Sequence, residues 1–340
     1  MFYSFFKNFL LLIVLLISHN SISEEIGNIN SNKNEIPEIK IGAYITSLYD
    51  INQSRGTYSA DIWIWAISDI KSKYKLEDFL EINYFSNEFM RTFSGYNKEK
   101  IDGKYIIEQK KVQGTFLHDF DMRDFPFDKQ YLKFSFEDST NDSSKVRYVA
   151  DLKSGYDKSI SIDGWIIKKI VAQEVNKNYD TNFGIYTKPS TVQYSQVEVT
   201  TELVRDSAAI FFKLTIGLLI AVLVALTSCL MPTHSGDIFS GRMGLLGGAL
   251  IAAVVNQQFA DSSQGNTTTV TLIDKLHMLG MFMMIVLLAV TARSRMLFEI
   301  YKNEEKSSKL DYTALAVCTI LFFGSTLYFV LSAIYKATEI

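Results

Sequence analysis

The sequence predicts a β-sandwich joined to a bundle of four membrane-spanning helices. Residues 24–206 hold repeated short runs of alternating β-branched and aromatic residues; the composition turns abruptly apolar at Ala208; and from there on four runs are each long enough to cross a bilayer as a helix. With 340 residues, 48% of them hydrophobic, the chain has room for two domains and is too apolar for an ordinary soluble enzyme.

Residues 1–23 contain one basic residue, Lys7, a short apolar core from Phe9 to Ile17, and small residues at Ser21 and Ser23. This is the pattern of a cleaved secretory signal, because the core is too short to span hydrocarbon. An uncleaved anchor is the other reading, and under both the next segment is exported. Residues 24–206 contain no cysteine, so no disulfide is expected to staple this domain. Cys229 and Cys318 lie inside apolar runs and read as small buried residues.

Strand-like runs occupy 38–51, 57–68, 103–116, 130–138, 145–151, 164–175 and 191–204, separated by turn residues such as Ser54-Arg55-Gly56. No helical pattern interrupts them, which argues for two packed sheets; only 75–93 is ambiguous between helix and strand. Between two strands stands Phe125-Pro126-Phe127-Asp128. Pro126 donates no ladder hydrogen bond, so the segment is a turn. It reads either as a hairpin turn over the sandwich's own core, or as a turn displaying rings and carboxylates at a seam with the membrane domain.

The predicted membrane helices cover 208–231, 238–260, 270–292 and 312–335. The second carries Arg242, four glycines and Asn256-Gln257-Gln258, too polar and too small to face lipid all round, so it belongs in an interior. The connector after the third helix holds Arg293, Arg295, Lys302, Lys306 and Lys309, whereas 261–269 holds no basic residue. That bias puts the former in the cytoplasm, with the N-terminal domain and the C-terminus outside. Along the second helix Gly244, Gly248, Ile251, Val255, Gln258 and Ser262 follow in steps of four and three, one continuous stripe running from small to branched apolar to polar. The stripe reads as a pore lining, in which rings of Ile251 and Val255 close by dewetting, or as a Gly-x-x-x-Gly packing face.

Asp121 followed by Phe125, Pro126, Phe127, Asp128 and Gln130 resembles the signature loop of the pentameric ligand-gated ion channels, the Cys-loop receptor superfamily. The resemblance runs from about Ile39 to the C-terminus and includes Thr269 with Asp274 opening the third membrane helix. Animal members close the loop with a disulfide; the equivalent positions here are His118 and Leu132, so the chain is similar to the bacterial, disulfide-free members. It departs from the family in lacking the Trp-x-Pro motif of one ligand-binding loop, in a shorter segment between 68 and 103, and in a first membrane helix without an internal Pro. These departures bear on the ligand site rather than on the fold.

The resemblance implies a homopentamer around a central pore in the bacterial inner membrane, opened by a small-molecule or ion agonist bound between neighbouring outer domains. It also implies that Asp128, helped by Asp121, holds Arg205 in a partly buried ion pair, while Phe125 and Phe127 press on the connector from Thr269 to Asp274. Asp237 and Asp261 are the acidic residues near the two mouths, which gives a weak cation preference among the permeating ions. Candidate agonist residues are Trp63, Phe136, Glu137, Tyr179, Phe183, Tyr186 and Tyr194; rings with a carboxylate suit an organic cation, although strand aromatics also read as core.

Enzymatic chemistry finds no pattern. Along a strand, His118, Asp119 and Asp121 alternate between faces and do not converge on a metal, and there is no phosphate loop, nucleophile elbow or basic stripe. No cofactor, metal or nucleic acid is therefore expected; membrane lipid is. The rival function is a non-conducting membrane receptor or assembly protein, since the stripe is poor in polar side chains before Gln258.

Overall fold

The computed structural model describes residues 36–72, 80–83, 85–101, 103–185, 189–265 and 268–338. Residues 1–23, read from the sequence as a secretory signal, and Tyr186 lie outside the described residues. From Ile36 onward the chain contains a β-rich N-terminal part followed by four long apolar helices.

Ten strands are described: β1 (Glu38–Asn52), β2 (Thr57–Asp69), β3 (Leu80–Asn83), β4 (Phe85–Ile101), β5 (Tyr105–Leu117), β6 (Lys129–Asp138), β7 (Arg147–Ala150), β8 (Gly155–Tyr156), β9 (Trp165–Tyr179) and β10 (Val192–Arg205). One sheet runs β4-β5-β2-β1-β7, with β8 also on β1; the other runs β3-β6-β10-β9. Where 75–93 is described it is strand. Alternation explains the burial: Tyr58, Ala60, Ile62 and Ile64 of β2 point inward, as do Leu132, Phe134 and Phe136 of β6 and Val197 and Val199 of β10, and the two inner faces share one core. Rings form its spine, with Tyr58 stacked on Phe116 at 5.2 Å, Phe116 on Phe134 at 5.6 Å, and Phe134 edge-on to Phe136 at 5.5 Å. Tyr58 satisfies its buried hydroxyl by donating to the Lys133 carbonyl, 3.0 Å away. The β1–β2 turn closes through Gly56, whose φ of +64° suits glycine best.

The helices are α1 (Ala208–Thr227, extended by a 3₁₀ turn, Ser228–Leu230), α2 (Gly236–Gln264), α3 (Leu272–Glu299) and α4 (Glu304–Thr338), each long and apolar enough to cross a membrane. At 1.5 Å per residue even α1 reaches about 30 Å. Three of the four run well past the expected ends. The connector read after 292 is mostly helix, because its Arg, Lys and Glu residues are good helix formers and Arg295 supports the last turn by pairing with Glu299 at 2.8 Å. Apolar composition marks only the stretch that hydrocarbon demands. α3 opens on a capping box: Thr271 Oγ1 accepts from the Asp274 N–H at 3.2 Å, and Asp274 Oδ2 accepts from the Thr271 N–H at 2.8 Å. The threonine that caps α3 with Asp274 is thus Thr271, and Thr269 lies in the connector that precedes the helix.

Within the bundle α2 packs on α1 and α3, whereas α4 packs on α3 and α1. Their common core includes Leu218, Val222, Leu246, Ala253, Met284 and Phe322. Midway along it, Asn256 Oδ1 accepts the Leu218 N–H of α1 at 3.0 Å and lies 3.0 Å from His277 Nε2 of α3. Gly217 makes this possible, since a Cβ there would stand 2.9 Å from the Asn256 amide.

Candidate functional site

β10 leads into α1 with only Asp206 and Ser207 between them, so its last residue, Arg205, stands where sandwich meets bundle. Its guanidinium is gripped as a fork: Nε donates to Asp128 Oδ1 at 2.6 Å and Nη2 to Oδ2 at 3.0 Å, while the Arg205 N–H donates to the Asp128 carbonyl at 3.3 Å. Arg205 is 8% exposed and Asp128 3%. The Trp165 and Phe125 rings cover the cation, their centroids 4.0 and 4.8 Å from Cζ. Gln53 of the β1–β2 turn, its amide oriented by this network, accepts from Nη1 at 2.9 Å and also from Nη2. One arginine therefore ties together the start of α1, the Phe-Pro turn, the β1–β2 turn and the start of β9.

Gln130 locks the turn in place. It donates to Asp128 Oδ2 at 2.7 Å and to the Asp121 carbonyl at 2.9 Å, and accepts the Asp121 N–H at 3.2 Å. On its other side His118 Nε2 lies 3.4 Å away; burial holds His118 below the ordinary histidine range, leaving it neutral at pH 7. The Phe125-Pro126 peptide bond is cis.

One expectation about this seam is corrected. The Asp121 carboxylate does not help to hold Arg205: it is half exposed and engaged by Arg123 two residues on, whose Nε is 2.9 Å away, a local partner that closes the turn. Phe127 has a ring partner on α1, Phe211 at 5.4 Å. Phe125 is buried beside Arg205 in a cluster that does reach α3 through Ile273. A further tie went unforeseen: Lys336, in the last turn of α4, sits 3.1 Å from both oxygens of Asp124.

The α2 stripe is divided cleanly from its opposite face. Gly244, Gly248, Ile251, Val255, Gln258 and Ser262 are all exposed, Ile251 by 67% and Val255 by 58%, whereas Arg242, Leu246, Ala249, Ala253, Ala260 and Gln264 are buried. Arg242 turns wholly into the bundle, as expected for a charge kept off the stripe. It donates to Asp311 Oδ1 of α4 at 2.9 Å and to the Met231 carbonyl at 3.2 Å. Asp311 Oδ2 accepts from Ser294 of α3 at 2.8 Å, and Ser294 in turn meets Ser307 at 2.8 Å and Thr233 at 3.0 Å. This polar knot joins all four helical segments at the end remote from the sandwich. Sequence reasoning left Asp311 in a connector; the available signal was a lone carboxylate at the margin of the last apolar run, matching a lone arginine in the second.

The candidate ligand residues are brought together only in part. Tyr179, Phe183 and Tyr194 form a trio with centroids 5.4 to 6.2 Å apart where β9 ends and β10 begins. Tyr179 Oη donates toward Glu137, 3.1 Å from each oxygen, and Gln196 donates to the same carboxylate. Phe136 is not among them: it is adjacent to Glu137, so the pleat sends it to the other face, where it is fully buried in the core. Trp63 lies on β2 in the other sheet, 36% exposed, and the fold of one chain does not bring it to the trio.

No family model matches the chain, and no curated protein matches it.

Proposed function

We propose that the chain is one subunit of a homopentameric, agonist-gated ion channel of the pentameric ligand-gated type, with α2 lining the pore. The observation that carries this reading is the contrast between the two exposed helix faces. α4 exposes Ile320, Leu321, Leu327, Tyr328 and Leu331, a surface suited to lipid, whereas α2 exposes glycines, Gln258 and Ser262 alongside Ile251 and Val255. Glycine gives lipid little to pack on, and an exposed glutamine is costly in hydrocarbon. A ring of subunits around a shared axis removes that face from lipid and wets its polar end. The trio over Glu137 is the agonist site of this reading, taking an organic cation, with Trp63 supplied by the neighbouring subunit.

Mass measurement of the purified protein in detergent is expected to give five subunits, and planar-bilayer recordings to give currents opened by protons, calcium or small amines. A stable monomer or dimer removes the pore. Pentamers silent under every agonist leave the non-conducting receptor.

Ile251→Ser is expected to raise resting open probability at least about tenfold. A destabilisation of the dry ring by only about 0.3 kcal/mol per subunit, summed over five, amounts to about 1.5 kcal/mol, slightly more than the roughly 1.4 kcal/mol of a factor of ten. Single-channel recording checks it, and unchanged resting conductance in a variant that reaches the membrane would take Ile251 off the axis.

A further inference from the structure

At the end of α2 nearest the sandwich, a cavity of about 520 Å³ is lined by Gln257, Asp261 and Gln264 of α2, by Thr269 of the connector, and by Asp274 in the first turn of α3, among others. No Lys or Arg is among its described lining residues. The carboxylate-bearing residues Asp261 and Asp274 line it from two different helices. Asp274 is committed to accepting, since its Oδ2 takes both the N–H and the hydroxyl of Thr271. Two carboxylates on one cavity with no basic residue among its described lining draw something positive into it.

Gln264 is the independent sign of what that is. It lines the same cavity and is only 3% exposed, yet its Oε1 has no hydrogen-bond partner among the described residues, while its Nε2 donates to the Ala260 carbonyl at 3.3 Å. A buried amide oxygen without a donor is costly, and a bound cation would satisfy it.

We infer that this cavity binds a divalent cation, calcium ahead of magnesium, on the carboxylates of Asp261 and Asp274 and the amide oxygen of Gln264, tying the end of α2 to the start of α3. Two carboxylates balance a divalent charge. The irregular set of carboxylate, amide and hydroxyl oxygens suits the flexible coordination of calcium, whereas magnesium demands a near-ideal octahedron and keeps its waters. Among the described residues no three His, Cys, Asp or Glu side chains gather to hold a metal, so the site depends on the amide.

The test uses the full chain in detergent, stripped with chelator and then titrated with calcium or magnesium while thermal unfolding and calorimetric binding are followed. Millimolar calcium is expected to raise Tm by about 3–6 °C, with a smaller shift for magnesium. Asp261→Asn is expected to unfold at or above the wild-type Tm in chelator, because it removes the repulsion, and to lose the calcium shift with at least about a tenfold loss of affinity; Gln264→Leu is expected to weaken calcium without abolishing it. Three results would overturn the site: no calcium shift in the wild type, a full shift retained in Asp261→Asn, or a Tm that responds to pH across the carboxylate range and ignores calcium, which is the behaviour of a shared proton. None of these measurements needs a current, so they stand apart from the pore proposal.

Discussion

Arg205→Ala and Asp128→Ala are each expected to cost about 3–5 kcal/mol, enough to block assembly or to abolish the agonist response, because each leaves a buried charge unpaired. The double variant is expected to lose far less than the sum, with a coupling of more than about 2 kcal/mol, since the second substitution removes the charge stranded by the first. An exposed pair would be worth at most about 1 kcal/mol; this one is nearly inaccessible and bidentate. Arg205→Lys is expected to rescue little, as an ammonium offers no fork to Asp128 and stacks poorly between Trp165 and Phe125. Surface expression together with agonist response reads the cycle. Purely additive losses would mean that Arg205 and Asp128 act independently, and the turn would then be no more than a hairpin.

The second large effect is expected at the far end of the bundle. Arg242 is fully buried, and its guanidinium meets one carboxylate, Asp311, while its Nε has no partner among the described residues. Asp311→Ala is expected to destabilise each subunit by about 3–5 kcal/mol. Replacing both charges, as Arg242→Met with Asp311→Leu, is expected to fall within about 1–2 kcal/mol of wild type, because a buried pair exchanged for apolar residues of similar size is often neutral. Denaturant or thermal unfolding in detergent measures both. If Asp311→Ala unfolds like wild type, the arginine's charge is satisfied elsewhere.

What was legible in the sequence follows from which forces act locally. Alternation marked most strands within a few residues, since the pleat imposes a period of two on any sheet with one buried face. Pro126 fixed the turn, and the junction at Ala208 placed Arg205 beside it. The same alternation should have excluded Phe136 once Glu137 was chosen. Harder to see was the choice of one partner among several: Asp121, Asp124 and Asp128 are all within reach of a cation in one turn, yet they divide among Arg123, Lys336 and Arg205. That division is settled by backbone direction and burial, which composition does not carry. The helix ends were missed because hydrophobicity reports the hydrocarbon, whereas hydrogen-bonded turns continue wherever residues tolerate them. Gln264 left no signal at all, for an amide at the end of an apolar run looks like any other surface glutamine until its oxygen is found without a donor.

The pairing of Arg242 with Asp311 also sets a condition on how the chain can be made. The two residues are 69 positions apart, and the carboxylate arrives only with α4. A nascent chain that has inserted α1, α2 and α3 carries a guanidinium whose counter-charge has yet to be synthesised, and the serine and threonine hydroxyls already present cannot neutralise it. The three-helix stage is therefore expected to hold α2 with its first turns near the aqueous boundary. Synthesis of α4, by delivering Asp311 at one end and Lys336 at the other, is the step expected to draw the arginine inward and to latch the bundle to the Phe-Pro turn.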